Sequence, residues 1–440
     1  MCGVAPTRPR SSRCSDATAF LSTLLVAGLR ARWSDLTGAT HGMARAQAGL
    51  TIVRSANQPH APESAESLML ARSAAAAGNS WSIGGFRIAL ARAVSPASRE
   101  CEAALLAAGR GLPLPHRAAW AALQLSGTDS WFMSVSDGAG KMCGGFGLSI
   151  HPSRALPGHA LMRCEHFGPG VPRAAQRAAL TALVALARNR SRVLRVLVET
   201  FAIDPLERVA LEEDMQRLGF IPQLPPRCYE ETLLLSLVPD EASLFGSLHR
   251  TARQNIRAAE KHGLRAMPVE DSGYFDRLDA ISRETYARTG GTYHAGDWDR
   301  VVALCREMPA ASRLVGLFRN DASGPESLLA FAWGWNHGDH VQYTRAASTR
   351  VPGIRLSLMY PLLWDLILWA KQGGARRFDF GGVTTTAPDQ DDPLRGISDF
   401  KRSFSGELAR VGAEWCLEPR PVRARAARAV SSLSRMLSRS

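Results

Sequence analysis

The chain has 440 residues, 45% hydrophobic and 21% charged, a globular composition with room for two or three domains of roughly 100–200 residues each and for a sizeable core. Its net charge of +13 sits mainly at the ends: residues 1–100 carry 11 Arg against 5 acids, and residues 419–440 carry 6 Arg and no acid. The body is therefore near neutral, and the charge marks two basic ends suited to an anionic surface, nucleic acid or lipid, rather than a basic fold.

No run reaches ~18 apolar residues, so no spanning helix is expected. The eight cysteines, Cys2, Cys14, Cys101, Cys143, Cys164, Cys228, Cys305 and Cys416, show neither C-x-x-C nor zinc spacing. They read as reduced thiols of a cytoplasmic protein. Ala17–Leu29 imitates a secretory core, but Arg30 and Arg32 stand where small residues should allow cleavage. Residues 1–110 are rich in Ala, Ser and Arg with weak periodicity, and are expected to be a disordered extension.

Regular structure becomes legible after Pro113. Trp131–Asp137, Met142–Ile150 and Ala160–Phe167 read as strands. Gly168-Pro169-Gly170 breaks the third, and Pro172 opens a helix to about Asn189. Val193–Phe201 is a strand, residues 205–218 a helix ending at Gly219, and Cys228–Val238 a last strand. That order describes an α/β half over residues 111–238.

Residues 239–418 repeat the theme. Helices are expected over Asp240–His262, Tyr274–Thr289 and Asp297–Met308, then strands over Arg313–Asn320, Ser327–Trp335 and His340–Ala347. After a Pro/Gly turn at Arg350–Arg355 come a helix over Ser357–Gln372, a strand at Arg377–Phe380, a short helix near 397–404 and a final strand, Glu407–Cys416. The fold class is α/β (α+β), two halves with mixed central sheets. Each half has a strand, a Gly/Pro turn and a long helix, an arrangement that aims backbone N–H groups and a helix N-terminus at one anion-sized spot. Residues 419–440 form a basic tail in which Val422, Ala426, Val430, Leu433 and Leu437 have helical spacing, as in a helix resting on anionic lipid.

Four segments in fixed order carry a resemblance: Leu248–Arg265 (LHRTARQNIRAAEKHGLR), Val341–Ala346 (VQYTRA) with Pro352–Ser357 (PGIRLS), Phe378–Gly382 (FDFGG) and Gly396–Gly406 (GISDFKRSFSG). Together they resemble the Fem-type aminoacyltransferases of peptidoglycan bridge formation, and equally the wider GNAT-related acyltransferases. The resemblance covers about residues 229–410 and is architectural over 115–228. It implies a tandem GNAT fold and transfer of an acyl or aminoacyl group to an amine of a cell-envelope precursor or polysaccharide. The implied donor is an aminoacyl-tRNA or an acyl-CoA, with no other cofactor. It leaves two alternatives open: an acyl-CoA-dependent N-acetyltransferase, and a non-catalytic module that binds a phosphate ligand or membrane. Two departures matter. The phosphate turn Arg350–Arg355 holds one Gly and two Arg, which weighs against CoA, and no long helical arm separates the helices of 274–308.

Such a reaction needs a neutral amine, a stabilised oxyanion and compensation of the leaving group's charge. The resemblance assigns Phe400 and Lys401 to the Phe-Lys pair beside the reacting acyl group, with the Lys401 ammonium stabilising the oxyanion or leaving hydroxyl. Asp379, at a strand end before Gly381-Gly382, either orients the amine or caps the turn. Tyr343 faces either the cleft or the core. Arg250, Arg253 and Arg257, with Lys261, share one helix face and form either a phosphate-contacting stripe, for a tRNA among other ligands, or a solvated face. Arg350, Gly353 and Arg355 form the phosphate turn. Asn336-His-Gly-Asp-His340 lies between two strands and reads as turn chemistry, so no metal is assigned. The expected location is cytoplasmic, with the tail at the inner membrane face.

Overall fold

The computed structural model describes residues 79–123, 128–290, 293–384, 395–404 and 406–437. The secretory-like run Ala17–Leu29 and the first 78 residues of the expected extension lie outside them.

The first half comprises β1 (Ser80–Ile83), β2 (Phe86–Arg92), α1 (Pro96–Ala107), α2 (Ala118–Ala122), β3 (Asp129–Ser136), β4 (Met142–Pro152), β5 (Ala160–Phe167), α3 (Arg173–Asn189), β6 (Val193–Phe201), α4 (Pro205–Arg217) and β7 (Ile221–Pro222). Residues 80–107 thus correct the expectation of an extension reaching residue 110. Trp81 and Ile83, then Ile88 and Leu90, alternate inward at the strand period of two. Such short alternations are easily hidden in an Ala/Ser/Arg-rich background. Ser95 caps α1 with a reciprocal capping box to Ser98.

The second half comprises β8 (Glu231–Ser236), α5 (Glu241–Ser247), α6 (Arg250–Lys261), β9 (Leu264–Pro268), α7 (Phe275–Thr289), α8 (Trp298–Glu307), β10 (Ser312–Arg319), β11 (Leu328–Asn336), β12 (His340–Ser348), α9 (Met359–Gln372), β13 (Arg377–Gly382), α10 (Arg395–Arg402) and β14 (Glu407–Arg410). The chain ends with β15 (Gly412–Leu417) and α11 (Pro421–Leu437). The single helix expected over Asp240–His262 is broken: Leu248 takes an extended conformation and buries its side chain, and His249 Nδ1 accepts from the Thr251 N–H to start α6.

Two mixed sheets result, ordered β1-β2-β3-β4-β5-β6-β15-β7 and β14-β8-β13-β12-β11-β10-β9. In each, an antiparallel run is followed by a crossover helix and one parallel pair, β5 with β6 through α3 and β12 with β13 through α9. The outer neighbour of each crossover product contradicts the expected boundaries. β8, assigned to residues 111–238, pairs antiparallel with β13 in the second sheet, while β15, assigned to 239–418, pairs antiparallel with β6 in the first. Each half lends the other its closing strand.

The crossover helices hold the cores. Leu362, Leu363, Leu366 and Ile367 of α9 are fully buried, each contributing roughly 1.5–3 kcal/mol by burial. On α3, Leu180, Leu183 and six alanines are buried. The Gly168–Gly170 turn before α3 is pinned by the Gln176 amide, which donates to Gly168 O and Val171 O at 2.8 Å each. Gly170, at φ +75°, packs so closely on Gly111 O that a Cβ would lie 2.5 Å from it. The sheets meet where Phe201, Leu234 and Val411 pack and where Trp120 stands edge-on to Trp335 at 4.8 Å.

The tail is helical and docked at its root. Arg420 donates to the carbonyls of Ala187, Arg188 and Arg190 at the end of α3, and Ala424 is buried. Val422, Val430, Leu433 and Met436 are exposed. No helix among the described residues is long and apolar enough to cross a membrane.

Candidate active site

β12 and β13 run parallel and are paired from His340–Arg377 to Gln342–Asp379, where the pairing stops. Beyond that point lie Tyr343 on one strand and Gly381-Gly382 on the other. Strand ends that part beside a parallel pair are where open α/β sheets place ligands.

Asp379 is fully buried at the last paired position. Its Oδ1 accepts from the Thr232 hydroxyl and, at 2.7 Å, from the Gly381 N–H; its Oδ2 accepts from the Tyr229 hydroxyl at 2.8 Å. The carboxylate therefore caps the Gly-Gly turn and ties β13 to β8. Gly381 sits at φ +70°, a left-handed conformation that glycine adopts without steric cost. Burial, and then the Asp379 charge, push the Tyr229 hydroxyl well above the usual phenol range.

Lys401 projects from α10, which folds back over the end of β13. Ser398 Oγ accepts from the Thr384 N–H at 3.0 Å, and Arg402 donates to Thr384 O at 2.7 Å. This places the Lys401 amine, 2% exposed, against the turn, donating to Gly382 O at 2.6 Å. It lies 5.8 Å from the centre of the Tyr343 ring. Burial pulls its pKa down to about 8, against the opposing pull of the Asp379 charge. A lysine so placed is still mainly ammonium at neutral pH and gives up its proton within reach of it. Burial raises the Tyr343 hydroxyl, with a smaller contribution from Tyr286.

Lys401, Asp379 and Tyr343, distant in sequence, are thus brought together. Phe400 stands beside them edge-on to Tyr360 of α9 at 4.8 Å, in an aromatic group with Phe404 and Phe380. The remaining candidates surround this centre without entering it. The His249 N–H donates to Ser403 O at 2.9 Å, which sets the start of α6, and with it exposed Arg250, next to the end of α10. Arg253 donates to Gly246 O, and Arg257 lies over the Phe245 ring at 5.0 Å. Both are therefore engaged in holding α6 to α5. In the turn before α9, Val351, Ile354 and Leu356 pack on the core while Arg350 and Arg355 are exposed; Gly353 takes φ +83°.

Two contributors escaped the sequence reading, Tyr229 and Thr232. They flank or begin β8, which pattern alone assigned to the other half. Their only local signal is polar side chains at the mouth of an otherwise leucine-rich strand.

The model of the acetyltransferase (GNAT) domain matches residues 246–402, a span that contains Lys401, Asp379, Tyr343, Phe400 and the arginines Arg250, Arg253, Arg257, Arg350 and Arg355. The crystal structure of FemX is similar at a TM-score of 0.60 and 15% identity, over 73% of this chain and 95% of that one. A tandem GNAT protein from the clavulanic acid biosynthesis pathway reaches a TM-score of 0.47 at 13% identity, over 76% and 99%. The structure of L-PGS from Bacillus licheniformis reaches 0.46 at 12%, over 80% and 98%. No curated protein matches the chain. At these identities the likeness concerns the fold, and the first of the three structures carries it. Residues 246–402 thus match an acetyltransferase (GNAT) domain, set in a two-sheet fold similar to that of FemX.

Proposed function

We propose that the chain transfers an aminoacyl or acyl group from an activated ester to an amine of a cell-envelope precursor, at the parted ends of β12 and β13. The observation that carries this reading is the buried Lys401 amine, held by the Gly382 carbonyl and drawn down to about 8.

The acceptor nitrogen attacks the acyl carbonyl, the bond from that carbon to the leaving oxygen breaks, and the proton lost by nitrogen ends on the leaving oxygen. An ammonium has three N–H donors. One of Lys401's is taken by Gly382 O, which leaves two for the developing oxyanion or the leaving oxygen. In a site this dry such a donor is worth far more than in water. Asp379 is a positioning residue in this scheme: its oxygens are engaged by Thr232, Gly381 and Tyr229, and it holds the turn against which Lys401 is set. Tyr343 forms a wall of the site.

The start of α9 supports an ester donor such as aminoacyl-tRNA over a CoA thioester. A CoA pyrophosphate needs free N–H groups at a helix N-terminus. Here the Ser357 N–H donates to Asn255 Oδ1 at 3.0 Å, the Ile354 N–H to Val351 O at 3.2 Å and the Arg350 N–H to Glu284 Oε1 at 3.0 Å. Acyl-CoA remains the second reading, favoured by the lack of a side-chain cap on α9 and by exposed Arg350 and Arg355 beside it. Arg250 and the exposed parts of the α6 stripe supply phosphate contacts for a polyanionic donor. The basic, apolar-edged α11 suits a peripheral position at the inner membrane face.

Parallel titrations with acetyl-CoA and with aminoacyl-tRNA test the donor. The proposal expects weak or no CoA binding and salt-sensitive tRNA binding. Micromolar acetyl-CoA binding that is abolished by Arg355→Ala and indifferent to Arg250→Ala overturns it in favour of acetyl transfer.

A further inference from the structure

Away from Lys401, three histidines meet where the two halves join. His166, at the end of β5, comes from the first sheet. His337, in the β11–β12 turn, and His340, the first residue of β12, come from the second. All three side chains are buried, and one nitrogen of each lies within 4.8 Å of the other two. The rings are stacked: His166 and His337 have centroids 4.0 Å apart, and His337 and His340 4.9 Å apart.

The hydrogen bonds leave specific lone pairs unused. His340 Nδ1 donates to Asp339 Oδ1 at 2.7 Å, so its Nε2 carries the lone pair; that atom has no partner among the described residues. His337 Nε2 donates to Gln342 Oε1 at 3.0 Å, and its Nδ1 is likewise unpartnered, as is His166 Nε2. Two buried acceptor nitrogens without donors and a third unpartnered ring nitrogen beside them are unusual, because buried polar atoms are nearly always paired. A carboxylate or amide that holds the far nitrogen of an imidazole, fixing the tautomer and aiming the near one, is the outer-shell pattern of metal-bound histidine. A fourth histidine, His116, anchors the group: its Nδ1 accepts from the Gly147 N–H at 2.9 Å and its Nε2 donates to His166 O at 3.2 Å. His166 is also the one non-glycine at positive φ among the described residues, at 53°, a conformation that disfavours an L-residue.

We propose that His166 Nε2, His337 Nδ1 and His340 Nε2 form a binding site for a late first-row divalent ion, Zn²⁺ being the chemically best suited, which clamps the two halves of the chain together. Three imidazoles favour such ions over Mg²⁺ or Ca²⁺, which take oxygen ligands. A tetrahedral ion at about 2.0–2.1 Å from imidazole nitrogen needs the three lone pairs to converge, so binding tilts the rings out of their near-parallel stack, with the Asp339 and Gln342 side chains following the nitrogens they hold. A cavity of about 370 Å³, lined by Gly168, Phe201, Asp204, Asp339 and Arg377 among others, adjoins the group. Phe201 stacks on both His166 and His340. The cavity reaches the rings' neighbours Phe201 and Asp339, and water supplies the fourth ligand. The arrangement is independent of the acyl-transfer site.

The test uses the untagged full-length protein after chelator treatment, titrated with Co²⁺ alone. The expected result is saturable visible absorption at one ion per chain, displaced by Zn²⁺, with Zn²⁺ raising Tm. His340→Asn keeps a partner for Asp339 and His337→Gln keeps one for Gln342, while each removes a ligand atom; both lower affinity at least tenfold. His262→Gln, at an exposed position, changes nothing. If either variant fails to fold, X-ray absorption on the Co²⁺-loaded natural sequence decides by counting three imidazole nitrogens. Absence of a saturable one-to-one absorption on folded protein, a ligand count without imidazole, or an equal loss in His262→Gln overturns the proposal and leaves the three rings as a packing stack.

Discussion

The Lys401 amine donates to Gly382 O at 2.6 Å, from a helix that follows the turn by thirteen residues onto a strand end that Asp379 has already fixed. The carbonyl orients the ammonium but does not neutralise it, and the nearest acid spends its hydrogen bonds elsewhere. Lys401→Met keeps the volume and removes the charge. It should leave Tm unchanged or raised and lower turnover by about two to three orders of magnitude, roughly 3–4 kcal/mol of transition-state stabilisation. Lys401→Ala should lose as much activity but also destabilise the fold, because it empties a buried site. Turnover of Lys401→Met within a few-fold of the natural protein rules the ammonium out.

The titration of Lys401 has a definite sign. Its pKa is about 8 in the folded protein and about 10.4 in the unfolded chain. Between those values the unfolded state binds more protons, so stability rises with pH across this window, by on the order of 3 kcal/mol from this group. Activity that needs the ammonium should fall over the same approach, beginning as pH passes about 8. The groups facing the amine are Asp379, Tyr343 and, behind Asp379, Tyr229. Both phenols are held above the usual range, so neither is expected to titrate first. The chain has four lysines, Lys141, Lys261, Lys371 and Lys401, and NMR of protein labelled with [13Cε]lysine can follow each. One resonance should titrate near 8 and vanish in Lys401→Met.

Tyr229 and Thr232 should matter to both stability and activity. Tyr229→Phe and Thr232→Val each leave part of a buried carboxylate unsatisfied, at a cost of about 1–3 kcal/mol. Because the turn that positions Lys401 hangs on Asp379, kcat should fall with little change in KM. Chemical denaturation and steady-state kinetics check both; a pure KM effect would point to substrate contact instead.

Truncation distinguishes the expected extension from the observed core. Removing residues 1–107 deletes β1, β2 and α1, and with them buried Trp81, Ile88 and Leu105. The expected outcome is loss of cooperative melting, in contrast to a chain starting at residue 79. Retained cooperativity after the longer deletion would mean the first sheet stands without its edge.

The tail can be tested in two steps. Arg420→Ala removes the donor to three α3 carbonyls and should lower Tm by a few degrees without affecting lipid binding. Deletion of 421–440 should abolish co-sedimentation with anionic vesicles in low salt and leave neutral vesicles unaffected. Unchanged sedimentation removes the membrane role.

Local pattern in the sequence determined the alternation of strands and helices and the two Gly/Pro turns before long helices, whereas Lys401 was singled out by the resemblance of its segment, and Asp379 and Tyr343 were left open between site and structural roles. Each depends on residues a few positions apart: periods of 2 and 3.6, a turn residue, a short motif. The tertiary structure decided what pairing over distance decides. Strand period says which face of β8 and β15 is apolar but not which sheet receives them, so their exchange between halves, and the supply of Tyr229 and Thr232 to Asp379, were not legible. The burial of Lys401 depends on α10 folding back over β13, which no local periodicity encodes. Likewise His337 lies in the turn and His340 begins β12, as local pattern places them, and only the packing of one half on the other brings His166, 171 residues earlier than His337, onto the same spot.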